Sequence, residues 1–185
     1  MNGSGRAPAE LTLDLARAAA KQDAAHVDKD VLPPRCAHTV TVPGAAAGWC
    51  DALASWGTLP MHTVLAPAIE LAEGGFPVSA VTANSWAAQG ALLRAANGVQ
   101  LSPGAKDGAP YSGAGGVCPG HEACPFLRAD GSTPATGDIM RNPDLARTLR
   151  GVGEGGAAAF YEGGVAESIL QAVRSRGGVM QAEDL

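Results

Sequence analysis

Three side chains able to hold a metal, Cys118, His121 and Cys124, fall within the short stretch "CPGHEAC". A closed zinc site needs four ligands, commonly arranged as two short pairs, and this stretch supplies three. The sequence therefore predicts no metal here and leaves a loop thiol pair that is either free or disulfide-linked. Cys36 and Cys50 complete a set of four cysteines, too few for a disulfide-stapled small scaffold. For nucleophilic catalysis the G-x-S-x-G frame is absent, and His26, His38, His62 and His121 sit in no known nucleophile frame. Each histidine reads as a surface or packing residue. The acidic residues are scattered singly or in first turns of helices, so spacing argues for no paired-carboxylate site. The glycine-bearing stretch "HTVTVPGAAAGW" has neither the Lys-Ser/Thr of a phosphate loop nor the parts of a dinucleotide fingerprint, and no cofactor is expected. Its glycines predict a tight turn and close helix packing instead.

The elements that would position such residues are drawn from 185 residues, 46% apolar and 17% charged, which suit one soluble globular domain or a sizeable piece of a larger one. Aromatic residues make up 4% and glycines number 25, so the core must rely on close backbone approach. The formal net charge is −5, with no basic cluster, which argues against nucleic acid as a partner. No apolar run is long enough to span a membrane, and "MNGSGRAPAE" lacks the order of a signal peptide.

Along the chain, "PAELTLDLARAAAKQ" predicts an amphipathic helix on Leu11, Leu15 and Ala18, with Pro8 at a tolerated start. Pro33 and Pro34 begin a connection. "HTVTV" predicts a short strand ended by Pro43-Gly44, and Trp49, Leu53 and Trp56 share one helical face expected to look into the core. A helix over "TLPMHTVLAPAIELAEGG" is expected to kink near Thr63 because of Pro67. Residues 80–96 are helix-compatible. Nine glycines and five prolines between Asn97 and Asp138 then predict a poorly ordered loop or insertion over 97–138 without regular elements. Asn142 as N-cap with Pro143 at the first position starts a helix carrying Leu145, Leu149 and Val152. A last helix over "VAESILQAVRSRGG" buries Val165, Ile169, Leu170 and Val173, with Arg174 and Arg176 near its C-terminal dipole end. "VMQAEDL" reads as a tight turn or a helical first turn cut short.

Residues 40–79 and 142–185 resemble the large-subunit region of the γ-glutamyltransferase family, also called γ-glutamyltranspeptidases. The resemblance is carried by Val42-Pro43-Gly44, Gly48-Trp49, Ala66-Pro67-Ala68, Gly75-Phe76-Pro77-Val78, Leu145-Ala146, Thr148-Leu149, Phe160-Tyr161, Gly163, Ala166, Ile169, Gly177-Gly178 and Asp184-Leu185. It implies an α+β fold, the αββα core of N-terminal nucleophile (Ntn) hydrolases, built from two subunits cut from one precursor. This chain would be a partial large-subunit region, incomplete at both ends and mostly α-helical from the outer layers, with one or two short strands.

In such enzymes a threonine freed at the start of the small subunit attacks a γ-glutamyl amide, its own amine acting as base, and water or an amino acid resolves the acyl-enzyme. Glutathione is the usual substrate, and related members act on acyl side chains of β-lactams. No threonine here, Thr58 and Thr148 included, lies in the family's Thr-Thr-His frame, so the resemblance implies no catalytic residue in this chain and inactivity without the small-subunit part. In the family's "R-E-x-A-P" run an arginine binds the substrate α-carboxylate. Here that position is Ser4, and Arg6 stands two residues later as the candidate substrate-binding residue, a guanidinium suiting bidentate carboxylate recognition. A surface or structural role for Arg6 is the alternative. Family members are often exported, but the N-terminus that would show it is expected to be absent from this chain, so the compartment stays open. The competing reading of the whole chain is a non-catalytic helical interaction module derived from the same fold.

Overall fold

A computed structural model describes residues 3–22, 31–33, 36–109, 120–121 and 124–185. The chain divides into two compact units, residues 1–64 with 151–185 and residues 65–150. Among the described residues no helix is long and apolar enough to cross a membrane.

The first unit opens with an extended run that leads to helix α1, Leu13–Lys21. Pro8 does not start the helix. Its carbonyl accepts from the Leu11 amide in a preceding turn, and Thr12 is the cap, its hydroxyl accepting from the Leu15 amide at 3.3 Å. Asp14 in the first turn and Lys21 in the last complement the dipole. The expected strand over "HTVTV" is replaced by a 3₁₀ turn at Ala37–Thr39 followed by extended backbone. The Thr39 hydroxyl donates back to the Cys36 carbonyl at 2.8 Å, a local bond that competes with strand pairing. Helix α2, Ala45–Trp56, follows Gly44 directly and ends at Gly57. Its buried residue is Ala46, whereas Trp49 is 43% and Trp56 73% exposed. The tryptophans are thus exposed rather than facing the core as expected.

Helix α3, Met61–Gly74, continues through Pro67. After β1, Phe76–Pro77, helix α4 runs Ala80–Asn97, capped by the Ser79 hydroxyl and closed by Gly98 in the left-handed region. In the second unit β1 pairs antiparallel with β4, Ile139–Met140, while β2, Gly120–His121, pairs antiparallel with β3, Cys124–Arg128. Its cores are Val78, Ala83 and Met140, joined by Phe76 and Trp86, and a second group of Val99, Cys124 and Leu127 with Leu93.

The expectation of no regular element over 97–138 needs correction for its described part, which holds β2, β3 and the fully buried stretch Ser132–Ala135. Side chains there supply the bonds that a ladder would otherwise make. Arg94 grips the Asp107 carboxylate with two bonds of 2.8 and 3.0 Å, and Asp107 also accepts from the Thr133 amide at 3.0 Å. Asp138 pairs with Arg128 and accepts from the Ala135 amide at 2.8 Å. Residues 110–119 and 122–123 of that stretch lie outside the described residues.

Helix α5, Pro143–Gly155, starts as its sequence predicts, with the Asn142 side chain accepting from the Leu145 amide at 3.0 Å. In the first unit the short helix α6, Ala158–Tyr161, leads to α7, Gly164–Arg174, and a 3₁₀ turn at Ala182–Asp184. The core of that unit is Val42, Leu170, Val173 and Met180, with Ile169 and Leu185 packed on it.

Candidate functional site

The residues that carry the expected substrate contact form a tight corner of the first unit. The run Gly3–Ala9 lies along Thr41–Gly44, and the Val42 amide donates to the Arg6 carbonyl at 2.9 Å. Glycine makes this approach possible. A Cβ at Gly5 would stand 1.8 Å from the Val42 carbonyl oxygen, and one at Gly44 would stand 2.5 Å from the Gly3 carbonyl oxygen. Pro43 and the start of α2 are fixed from α6. The Tyr161 hydroxyl donates to the Pro43 carbonyl at 2.6 Å and accepts from the Ala47 amide at 3.0 Å.

Arg6 is exposed, and its guanidinium donates to the backbone carbonyl of Asp184 at 3.3 Å. The Asp184 carboxylate is buried at 4% residue exposure. One of its oxygens accepts from the Gln181 amide at 2.8 Å and the other from the Ala9 amide at 2.8 Å. These bonds, first from Gln181 and then from Ala9, hold its carboxyl below the usual aspartate range against the opposing effect of burial, with the nearby positive charge of Arg6 acting in the same direction as the bonds. The Gln181 side chain reaches Glu10 at 3.0 Å, and Arg174 donates to the Met180 carbonyl at 2.8 Å. Two segments far apart in sequence thus meet at Arg6 and Asp184. Chemically the corner offers a fixed guanidinium suited to a carboxylate.

The other residues singled out from sequence do not join it. Cys118 and His26 lie outside the described residues, His121 lies in β2, and Cys124 is buried among Val99 and Leu127 of the second unit. Among the described residues no three His, Cys, Asp or Glu side chains group as metal ligands. His38 lies in the 3₁₀ turn, lining with Cys36 and Arg176 a cleft of about 510 Å³ in the first unit. His62 is exposed on α3, and Thr58 is exposed after α2. The Thr148 hydroxyl donates to the Asp144 carbonyl of its own helix at 3.1 Å. The second unit has an apolar groove of about 360 Å³ lined by Leu71, Phe76, Trp86, Phe126, Met140 and Leu145. Sequence reasoning missed Tyr161 and Asp184 as structural agents, although both fall in the blocks that carry the family resemblance. Their presence in those blocks was the available signal.

The sequence matches one family model along the whole chain. The family model described as gamma-glutamyltranspeptidase covers residues 1–185. The chain is 30% identical over 144 residues to the glutathione hydrolase proenzyme of Escherichia coli, covering 77% of this chain and 21% of that protein. It is 29% identical over 184 residues to the glutathione hydrolase-like YwrD proenzyme of Bacillus subtilis, covering 99% of this chain and 29% of the relative. Among solved structures, the cephalosporin acylase from Bacillus halodurans superposes with a TM-score of 0.72 at 30% identity, over 99% of this chain and 30% of that one.

The chain belongs to the γ-glutamyltranspeptidase family. Its fold is the Ntn-hydrolase type of its structural neighbours, of which these residues form a mostly helical share with few short strands. It spans between 21% and 29% of the length of the two curated relatives above.

Proposed function

We propose that this chain is the part of a γ-glutamyltransferase-like Ntn hydrolase that shapes one wall of the acyl-donor site and is inactive without the remainder of the fold. The attacking threonine comes from the small-subunit part of the same precursor, which is the chain's principal partner. The substrate is a γ-glutamyl amide such as glutathione or a related acyl amide, and the acyl group passes to water or to an amino acid. Arg6 contacts the carboxylate of that substrate.

The observation that carries this reading is the family match over all 185 residues, joined to a corner that presents Arg6 from a fixed backbone. Exposure of Trp49, Trp56, Leu71 and Val81 supports a chain that packs against further parts of the fold rather than a free-standing module. Incubation of the 185-residue chain with a γ-glutamyl anilide should give no turnover. Addition of the missing part of a precursor that carries these residues should restore it, and there Arg6→Ala should raise the Michaelis constant. Turnover by the chain alone, lost on substituting a residue within it, would falsify the proposed inactivity.

A further inference from the structure

The segment that carries Arg6 is held by one side chain from the far end of the sequence. A cap of the turn at Ala182–Asp184 needs one carboxylate oxygen, the one that accepts from the Gln181 amide at 2.8 Å. The second oxygen of Asp184 is not required by that turn, yet it reaches 175 residues back to the Ala9 amide at 2.8 Å. The Asp184 carbonyl, in turn, takes one guanidinium donor of Arg6 at 3.3 Å. A guanidinium has five N–H groups, so this single bond orients Arg6 while leaving donors for a ligand. Its partner is a neutral carbonyl, while each carboxylate oxygen of Asp184 accepts from a backbone amide.

We infer that Asp184 is a positioning residue for Arg6: through the Ala9 amide and its own carbonyl it fixes the run Gly3–Ala9 and aims the guanidinium at the carboxylate of a γ-glutamyl ligand. This rests on the carboxylate-binding role proposed for Arg6 above. Asp184 touches no substrate in this scheme. Its carboxylate sets the backbone, its carbonyl sets the side chain, and the glycines at positions 5 and 44 let the run seat closely enough for both bonds. An asparagine at 184 keeps the shape but replaces one acceptor oxygen with a donor, which would face either the Ala9 or the Gln181 amide.

The test uses the 15N-labelled 185-residue chain joined to the missing part of the precursor, with the attacking threonine replaced by alanine so that glutathione persists as probe, reading the Arg6 Nε–H signal, the Ala9 amide and the dissociation constant. Asp184→Asn is expected to shift the Arg6 signal, expose the Ala9 amide to exchange and weaken glutathione about tenfold, the scale of one charge-assisted hydrogen bond. Arg6→Ala should weaken it similarly, and the double variant should add little, because the two residues act as a unit. Glu183→Gln, an exposed carboxylate in the same turn, should change none of these. If Asp184→Asn does not fold, Asp184→Glu carries the same readouts, with the displaced carboxylate expected to shift the Arg6 signal and weaken glutathione. An unmoved Arg6 signal with unchanged affinity, or fully additive losses, overturns the positioning role. No glutathione binding by the unsubstituted assembly, or full affinity in Arg6→Ala, overturns the proposed role of Arg6 itself.

Discussion

The Tyr161 hydroxyl sits between two backbone groups at the entry to α2, 2.6 Å from the Pro43 carbonyl oxygen and 3.0 Å from the Ala47 nitrogen. Gly44 precedes that helix and has no side chain with which to cap it, so a residue more than a hundred positions later supplies what an N-cap would. Tyr161→Phe removes both bonds while keeping the ring. It should cost about 1–2 kcal/mol of stability, seen as a lower urea midpoint with an unchanged slope. A midpoint equal to that of the parent chain would remove Tyr161 from this role.

Gly5 and Gly3 provide a matched pair. A Cβ at Gly3 would meet the Gly44 carbonyl oxygen at an ordinary 3.8 Å, whereas at Gly5 it would meet the Val42 carbonyl oxygen at 1.8 Å, and backbone cannot rotate away as a side chain can. Gly3→Ala should stay within about 0.5 kcal/mol of the parent. Gly5→Ala should lift the run and abolish protection of the Val42 amide, which donates to the Arg6 carbonyl. Hydrogen exchange at Val42 reads the difference, and equal protection in both variants would contradict the geometry.

Asp107 predicts a pH dependence. Its carboxyl is held below the usual aspartate range first by the Arg94 side chain and then, against the opposing effect of burial, by Thr133, and Asp184 is lowered by its own bonds. A carboxyl with a lowered folded pKa binds fewer protons folded than unfolded. Its stabilisation is present above the unfolded value near 3.9 and is lost as pH falls through the folded value. Stability should therefore decline below about pH 4, and Asp107→Asn should flatten that decline while lowering stability at neutral pH. Thermal melts across pH 2 to 7 (a range set by the aspartate reference value) test this. An identical acid limb in the variant would exclude Asp107.

The Arg128–Asp138 pair is buried, with side-chain exposures of 3% and 11%. Arg128 also donates to the Ala109 carbonyl at 2.7 Å and to the Ser132 hydroxyl at 3.3 Å. Removing Asp138 takes the carboxylate away from the buried Arg128 guanidinium, so Asp138→Ala should cost about 3 kcal/mol. Replacing both by apolar residues of similar volume should cost less. Denaturant titration of the two variants checks the order, and a double variant less stable than the single one would reverse it.

What the sequence made legible was local. Asn142 and Pro143 specify the start of α5 by side-chain chemistry within four residues, and the structure follows them. Alternating β-branched residues in "HTVTV" met the pattern of a strand, but a strand also needs a partner ladder. Among the described residues Val42 has a single bond to Arg6 there, and Thr39 turned back on Cys36. The packing of 124–138 was hidden because its bonds come from side chains at spacings that no period marks, such as Arg94 with Asp107. The corner was hidden further still. Arg6 could be named because it stands two residues after the family's arginine position, yet nothing near it in sequence points to Asp184.

The bond from Ala9 to Asp184 also sets an order of events during synthesis. The first unit joins residues 1–64 to residues 151–185, so the run Gly3–Ala9 is made well before its anchor. At about 5–20 residues per second, the 175 positions between Ala9 and Asp184 take roughly 10–35 s to translate. Throughout that interval the guanidinium of Arg6 and the amide of Ala9 face solvent or whatever meets the nascent chain. A ribosome that stalls before residue 184 holds a polypeptide with its helices encoded and its corner unlatched.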